Sequence, residues 1–173
     1  PDTGEPTVVD GEVGEIGVRY RDNPICLMEY WNQLEKTEAK VQGDWLRTED
    51  LGRRDEDGYL VFHSRRDDVI ISAGYRMGPA EIEDALADHP AVSDAGVVGV
   101  PDESRGEIPK AFVELTADVS SEEGLTTELQ NHVKDTLAAY KYPRAVEFLD
   151  ELPRTTSNKI ARGALREMTD NDG

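Results

Sequence analysis

An α+β fold class is predicted for this 173-residue chain: a small mixed or antiparallel sheet with flanking helices, preceded by a β-rich segment. Three observations carry that expectation. Residues 67–173 alternate short apolar runs with helical periodicity in the order strand–helix–strand–strand–helix–strand–helix, which packs helices onto one sheet. Leu125, Leu129, Val133 and Leu137 recur every four residues and lay an apolar stripe along a helix. Residues 1–66 instead carry alternation and turn residues, with too few apolar side chains for a core of their own.

Residues 1–10 read as loop, and the opening Pro-Asp-Thr-Gly-Glu-Pro without an initiator methionine reads as a chain entered part-way. Val13, Ile16, Val18 and Tyr20 alternate loosely and predict a strand or hairpin over 12–20. A helix with a weak face through Leu34, Glu38 and Val41 is expected over 30–42. Asp57-Gly58 marks a turn, with a strand at 59–62 behind it. Arg65-Arg66-Asp67-Asp68 then breaks the apolar pattern, which divides the chain into 1–66 and 67–173.

Beyond that break, 69–71 predicts a short strand and 74–79 a glycine-rich bend. Pro79 suits the first turn of a helix reaching residue 88, with Ile82 and Leu86 on one face. Two strands, 92–100 and 108–115, flank the polar run Asp102-Glu103-Ser104-Arg105-Gly106. A helix over 125–139, a strand over 145–149 and a terminal helix over 159–168 complete the reading.

Composition excludes several classes. With 37 acidic against 19 basic residues, the formal charge of −18 repels nucleic acid and anionic membranes. Exposed charges of one sign repel less at high ionic strength, so a cytoplasmic protein of a salt-rich, halophilic cell is expected. No apolar run reaches the roughly 18 residues of a membrane span. A single cysteine, Cys26, supports neither an intramolecular disulfide nor a thiolate cluster. His63, His89 and His132 match no zinc spacing, and no dedicated metal site is expected.

Against that acidity, residues 153–166 hold Arg154, Lys159, Arg162 and Arg166 and no acid, an island reserved for an anion. Lys159 follows the hydroxyl-rich Thr155-Thr156-Ser157-Asn158, from which a compact ammonium can meet phosphate or carboxylate oxygen. Asp50 can accept both hydroxyls of a ribose, and the guanidinium forks of Arg65 and Arg76 suit ribose or phosphate oxygens, although a turn residue and surface ion pairs account for them equally. Gly74 and Gly78 flank Tyr75, Arg76 and Met77, where backbone can approach a ligand closely. Tyr140-Lys141-Tyr142-Pro143-Arg144 is a second aromatic–basic cluster, or a helix end with dipole-favoured cations.

The order of these motifs is more specific than any one of them. The runs Trp45 to Asp50, Asp57-Gly58-Tyr59, Arg65-Arg66-Asp67-Asp68-Val69-Ile70, Ala73-Gly74-Tyr75-Arg76 and Pro79-Ala80-Glu81-Ile82-Glu83 are followed by His89-Pro90-Ala91-Val92, Arg105-Gly106-Glu107 and Leu152-Pro153 through Arg166. Together they resemble the C-terminal third of an adenylate-forming enzyme of the acyl-CoA synthetase, luciferase and peptide-synthetase superfamily, over roughly residues 12–168. Tyr140 to Phe148 most resembles the medium-chain acyl-CoA synthetase branch, which includes benzoate-type ligases.

The resemblance implies an ATP-dependent carboxylate–CoA ligase whose 1–66 closes a large N-terminal domain and whose 67–173 is a mobile lid. The carboxylate attacks the α-phosphate of ATP, and coenzyme A then displaces AMP. Lys159 matches the lysine that reaches carboxylate and α-phosphate oxygens. Asp50 and Arg65 match the ribose-binding pair, and Asp67 the hinge about which the lid swings. Arg76, with Gly74 and Tyr75 on the same loop, matches the thioester-forming face, and Tyr140, Lys141 and Arg144 are taken with them as binding residues. Mg²⁺ arrives with ATP, and the phosphate loop, adenine pocket and acyl pocket lie in the missing N-terminal domain, so this segment alone is expected to be inactive. Three positions depart from the family's usual glycine: Glu49, Ser64 and Asn158. Loading of a carrier protein in place of coenzyme A, or a non-catalytic binding remnant, are the alternatives.

Overall fold

A single long strand organises the first part of the chain. β3 (Trp45–Arg54) pairs antiparallel along one edge with β1 (Gly14–Arg19). Its other edge takes β2 (Val41–Gln42) near its start and β4 (Leu60–Arg65) near its end. The computed structural model describes residues 9–119 and 122–170. These fall into two compact units, Pro1–Asp67 and Asp68–Gly173, so Asp67 groups with the first unit and the 1–10 loop lies partly outside the described residues.

The sequence reading assigns no element to residues 45–50, whereas they begin this strand. Their charged side chains and a bulge hide the period of two, but both backbone edges are paired, which holds the strand regardless. The helix expected over 30–42 contracts to α1 (Leu34–Lys40). The Tyr30 N–H donates to Thr37 Oγ1 at 2.9 Å, and Val41 and Gln42 leave to pair with Leu46 and Trp45.

In the second unit, β5 (Ile70–Ser72), β6 (Tyr75–Met77), β7 (Val92–Asp102), β8 (Gly106–Leu115) and β9 (Ala145–Leu149) form one mixed sheet. All pairs are antiparallel except β8–β9, which is parallel. The bend expected over 74–79 therefore contains a strand, Tyr75–Met77. Ala73 (φ 49°) and Gly74 (φ 84°) make a two-residue turn between Ser72 and Tyr75, with the positive angles that a tight hairpin demands.

Strand alternation sorts the core into two layers. Ala95, Val97, Ala111 and Val113 face α2 (Pro79–Ala87) and α3 (Leu125–Thr136), which supply Ile82, Leu86, Leu129 and Val133. Val98 and Phe112 face the opposite side, covered by Leu152 and by Leu165 of α4 (Arg162–Asp170). The helix expected to run to residue 139 ends at Thr136, with Leu137 extended. No described helix is long and apolar enough to cross a membrane.

The terminal helix begins at Arg162, three residues later than the sequence suggests, because Arg154 and Ile160 form an isolated antiparallel bridge that closes residues 155–159 into a turn. Gly96 makes that layer possible. A Cβ there would lie 2.7 Å from Leu165 Cδ1 and 2.9 Å from Ile160 Cγ2. Gly96→Ala is expected to push α4 and the adjoining turn off the sheet at a cost of about 1–3 kcal/mol, read as a lowered Tm. An unchanged Tm would mean that this layer is loosely packed.

Candidate active site

Asp50 and Arg65 are direct cross-strand partners on β3 and β4, so their side chains share a face. Asp50 Oδ1 lies 3.3 Å from Arg65 Nη1. One residue earlier, Glu49 sits at φ 64°, in the left-handed region that disfavours a side chain. Its backbone is held there: the Glu49 N–H donates to Glu15 Oε1 at 3.2 Å, and its carbonyl accepts from the Arg66 N–H at 2.7 Å. Burial would push the Glu15 carboxyl up, but the hydrogen bond and charge of Arg47 hold it below the usual carboxylate range.

Because of that twist, Glu49 turns toward its neighbour's partner instead of the opposite face. Its Oε2 meets Lys40 Nζ at 2.5 Å and Arg65 Nη2 at 3.4 Å. The Glu49 hydrogen bond also raises the Lys40 ammonium above its usual range. Arg65 Nε reaches Asp67 Oδ1 at 3.3 Å, so each nitrogen of this guanidinium faces a different carboxylate.

The adjacent aspartates differ sharply. The Asp67 side chain is 69% exposed, while that of Asp68 is 8% exposed. Asp68 accepts from Arg166 at 2.5 Å and lies 3.4 Å from Arg162 Nη1. Arg162 also grips Glu83 of α2 at 2.5 Å, and the second interaction of Glu83 is a hydrogen bond from the Val97 N–H. Burial pushes the Glu83 carboxyl up, and the Arg162 guanidinium draws it partly back.

The cationic island is accordingly not all available to an anion. Arg162 and Arg166 are spent on Asp68 and Glu83, and Arg154 meets Asp94 at 2.7 Å. Lys159 is different. Its N–H donates to Thr155 Oγ1 at 3.2 Å, its carbonyl accepts from the Thr155 N–H at 2.7 Å, and its side chain is exposed. Among the described residues its ammonium has no hydrogen-bond or ion-pair partner. Asn158, at φ 62°, supplies the left-handed step that turns the chain there.

On the β5–β6 hairpin, Tyr75 stacks on Tyr140 with ring centroids 4.4 Å apart. Arg76 beside it is exposed and, among the described residues, unpartnered. A side chain at Gly74 would meet no protein atom within 4 Å, so within this chain its turn angle is what calls for glycine. The Lys141 ammonium is engaged by Glu81 at 2.6 Å, and Arg144 donates to the Tyr142 hydroxyl at 3.0 Å. Of the second cluster, the Tyr140 ring is 37% exposed and lies between the Tyr75 stack and the Lys141 ammonium. Among the described residues no three His, Cys, Asp or Glu side chains gather as a metal cage.

Sequence reasoning brought out Asp50 with Arg65, and Tyr75 and Tyr140 in separate clusters, as candidates, but missed the Tyr75–Tyr140 stack and Lys40, Asp68 and Glu83. Arg162 and Arg166, one helical turn apart in an acid-free stretch, are the signal that could have found the last two.

Comparison with known proteins follows the same lines. Residues 81–159 match the family model described as the AMP-binding enzyme C-terminal domain. The chain is 52% identical over 162 residues to acyl-coenzyme A synthetase ACSM4, mitochondrial, of Rattus norvegicus, covering 91% of this chain and 28% of that protein. It resembles the solved anthranilate CoA ligase AuaEII in complex with anthranoyl-AMP at TM-score 0.84 and 39% identity, over 94% of this chain and 31% of that one. The o-succinylbenzoate CoA synthetase of Bacillus subtilis, in complex with its acyl-adenylate intermediate, matches at TM-score 0.81 and 41% identity, over 91% and 31%.

Proposed function

Because this chain belongs to the acyl-CoA synthetases of the adenylate-forming superfamily, as their C-terminal portion, we propose that it serves an ATP-dependent carboxylate–CoA ligase. It spans 28% of the length of the curated relative described above, so the activity is that of the longer protein carrying it. In the first half-reaction a carboxylate oxygen bonds to the α-phosphorus of ATP and pyrophosphate leaves. In the second, the coenzyme A thiolate bonds to the acyl carbon and AMP leaves. The acid is a medium-chain fatty or aromatic one, and Mg²⁺ comes with the nucleotide phosphates.

The observation that carries this reading is Lys159, whose ammonium has no partner among the described residues of a chain of net charge −18. An exposed ammonium with no carboxylate partner among the described residues is available to a ligand oxygen. On this reading Lys159 spans the carboxylate and the α-phosphate, and Asp50 with Arg65 takes the ribose hydroxyls. Asp67 is the hinge between the end of the large domain and the lid. Gly74, Tyr75, Arg76 and Tyr140 belong to the face that receives coenzyme A. Two different faces are needed because one rigid surface cannot present both sets of groups to the same centre.

The test is carboxylate-dependent ATP–pyrophosphate exchange by the full-length protein, across acetate to decanoate and benzoate. Net charge of −18 supports a setting of high ionic strength, so the assay is run in dilute and in concentrated salt. Exchange peaking with medium-chain acids or benzoate, followed by acyl-CoA formation on adding coenzyme A, is the expected result. Exchange without acyl-CoA would point to a carrier protein as acceptor, and no exchange with any acid would end the ligase reading.

A further inference from the structure

Three carboxylates stand around one guanidinium, two of them, Glu49 and Asp50, from the bulged stretch of β3 and the third, Asp67, from just past β4. Arg65 presents Nη1 to Asp50, Nη2 to Glu49 and Nε to Asp67, all at 3.3 to 3.4 Å. A planar fork held on three edges has little rotational freedom left. Three negative charges facing one positive charge would, however, repel an incoming polyanion. Lys40 changes that balance. Its side chain, 14% exposed at the end of α1, places Nζ 2.5 Å from Glu49 Oε2. The chain has only six lysines, and this one is spent within the sheet of the first unit.

Glu49 is also held in an unfavourable backbone conformation, at φ 64°, by bonds to both its N–H and its carbonyl. Without that twist, Glu49 and Asp50 would project to opposite faces of the strand. The bulge brings both carboxylates to Arg65.

We propose that Glu49 is a positioning residue, whose Lys40-neutralised carboxylate holds the Arg65 guanidinium beside Asp50 so that the two meet ribose hydroxyls as a preset pair. This rests on the reading of Asp50 and Arg65 as the ribose site. The Glu49 side chain acts through Lys40 and Arg65, its contacts in the structure. Its effect therefore falls on nucleotide affinity, with little on turnover.

The experiment is pyrophosphate exchange by the full-length protein, measured against ATP and against 3′-deoxy-ATP at saturating acid. Glu49→Gln keeps the shape and removes the charge. It is expected to raise the KM for ATP about five- to tenfold and to change kcat less than twofold, since one ion-supported hydrogen bond is weakened. Lys40→Met strands the Glu49 charge, raises the KM more than about tenfold, and recovers in part with salt as the repulsion is screened. Lys40→Met combined with Glu49→Gln removes both charges together and is expected to bring the KM down only to the roughly five- to tenfold elevation of Glu49→Gln alone, because the stranded charge is gone but the hold on Arg65 is still weakened.

The 3′-deoxy nucleotide separates positioning from general damage. If Glu49 acts through ribose recognition, the ratio of variant to wild-type KM shrinks toward one with that substrate. Equal ratios for both nucleotides, or an unchanged KM in Glu49→Gln, overturn the proposal while the ligase reading stands. A wild type with no exchange at all overturns both.

Discussion

Lys159→Ala is expected to reduce carboxylate-dependent ATP–pyrophosphate exchange in the full-length protein by about 10²–10³-fold, the usual cost of one donor aimed at developing charge. The variant should fold as wild type does, since the side chain is exposed and no described residue depends on it. Its turn is held by other contacts: the Arg154–Ile160 bridge, the Arg154–Asp94 ion pair and the packing of Ile160 against Leu165. Thioester formation from supplied acyl-adenylate and coenzyme A should stay within a few-fold of wild type if, as proposed, that step falls to the other face. Both half-reactions falling together would indicate damage to the fold. Exchange retained within threefold would remove Lys159 from the chemistry. Arg162, only three residues on, cannot substitute for it, because its guanidinium is already held by Glu83 and Asp68.

Asp68→Asn should destabilise the second unit by about 2–3 kcal/mol, and Asp67→Asn by less than about 1 kcal/mol. The two residues are neighbours with the same side chain, and only burial separates them. Asp68, at 8% exposure, is the sole carboxylate found on Arg166 among the described residues and shares Arg162 with Glu83. Removing its charge leaves two partly buried cations competing for one acid. The partial exposure of both guanidinia places the cost at or below the low end for buried pairs. Asp67 faces solvent, and its contact with Arg65 is one of three that arginine makes. Chemical denaturation of the two variants, with amide exchange along α4, measures the difference. Equal losses would mean that the Asp68 cluster is no more than a screened surface network.

Much of the fold was legible because apolar periodicity reports burial. The strand at 145–149 and the helix starting at Pro79 follow the sequence expectation closely, since each has one apolar pattern and a clear terminator. β3 was not legible. Its residues are mostly charged or polar, and a strand paired on both edges needs no apolar face of its own. The start of α4 was misplaced for a related reason: the bridge from Arg154 to Ile160 is a tertiary contact, and it takes Lys159 out of the helix.

The site divides in the same way. Residue type marked Lys159, Asp50 and Arg65 as candidates, and the resemblance to adenylate-forming enzymes gave them, with Tyr75 and Tyr140, their expected roles. Sequence likewise marked Glu49 and Asn158 as departures from glycine, and both adopt the left-handed backbone that glycine tolerates. Which cations are free was decided only by folding. Lys141, Arg154, Arg162 and Arg166 look like equals of Lys159 in a list of charges, yet each meets a carboxylate supplied by a distant element. A charge's chemical availability depends on its partners, and partners far apart in sequence are brought within a few ångströms only by the packed sheet and its helices.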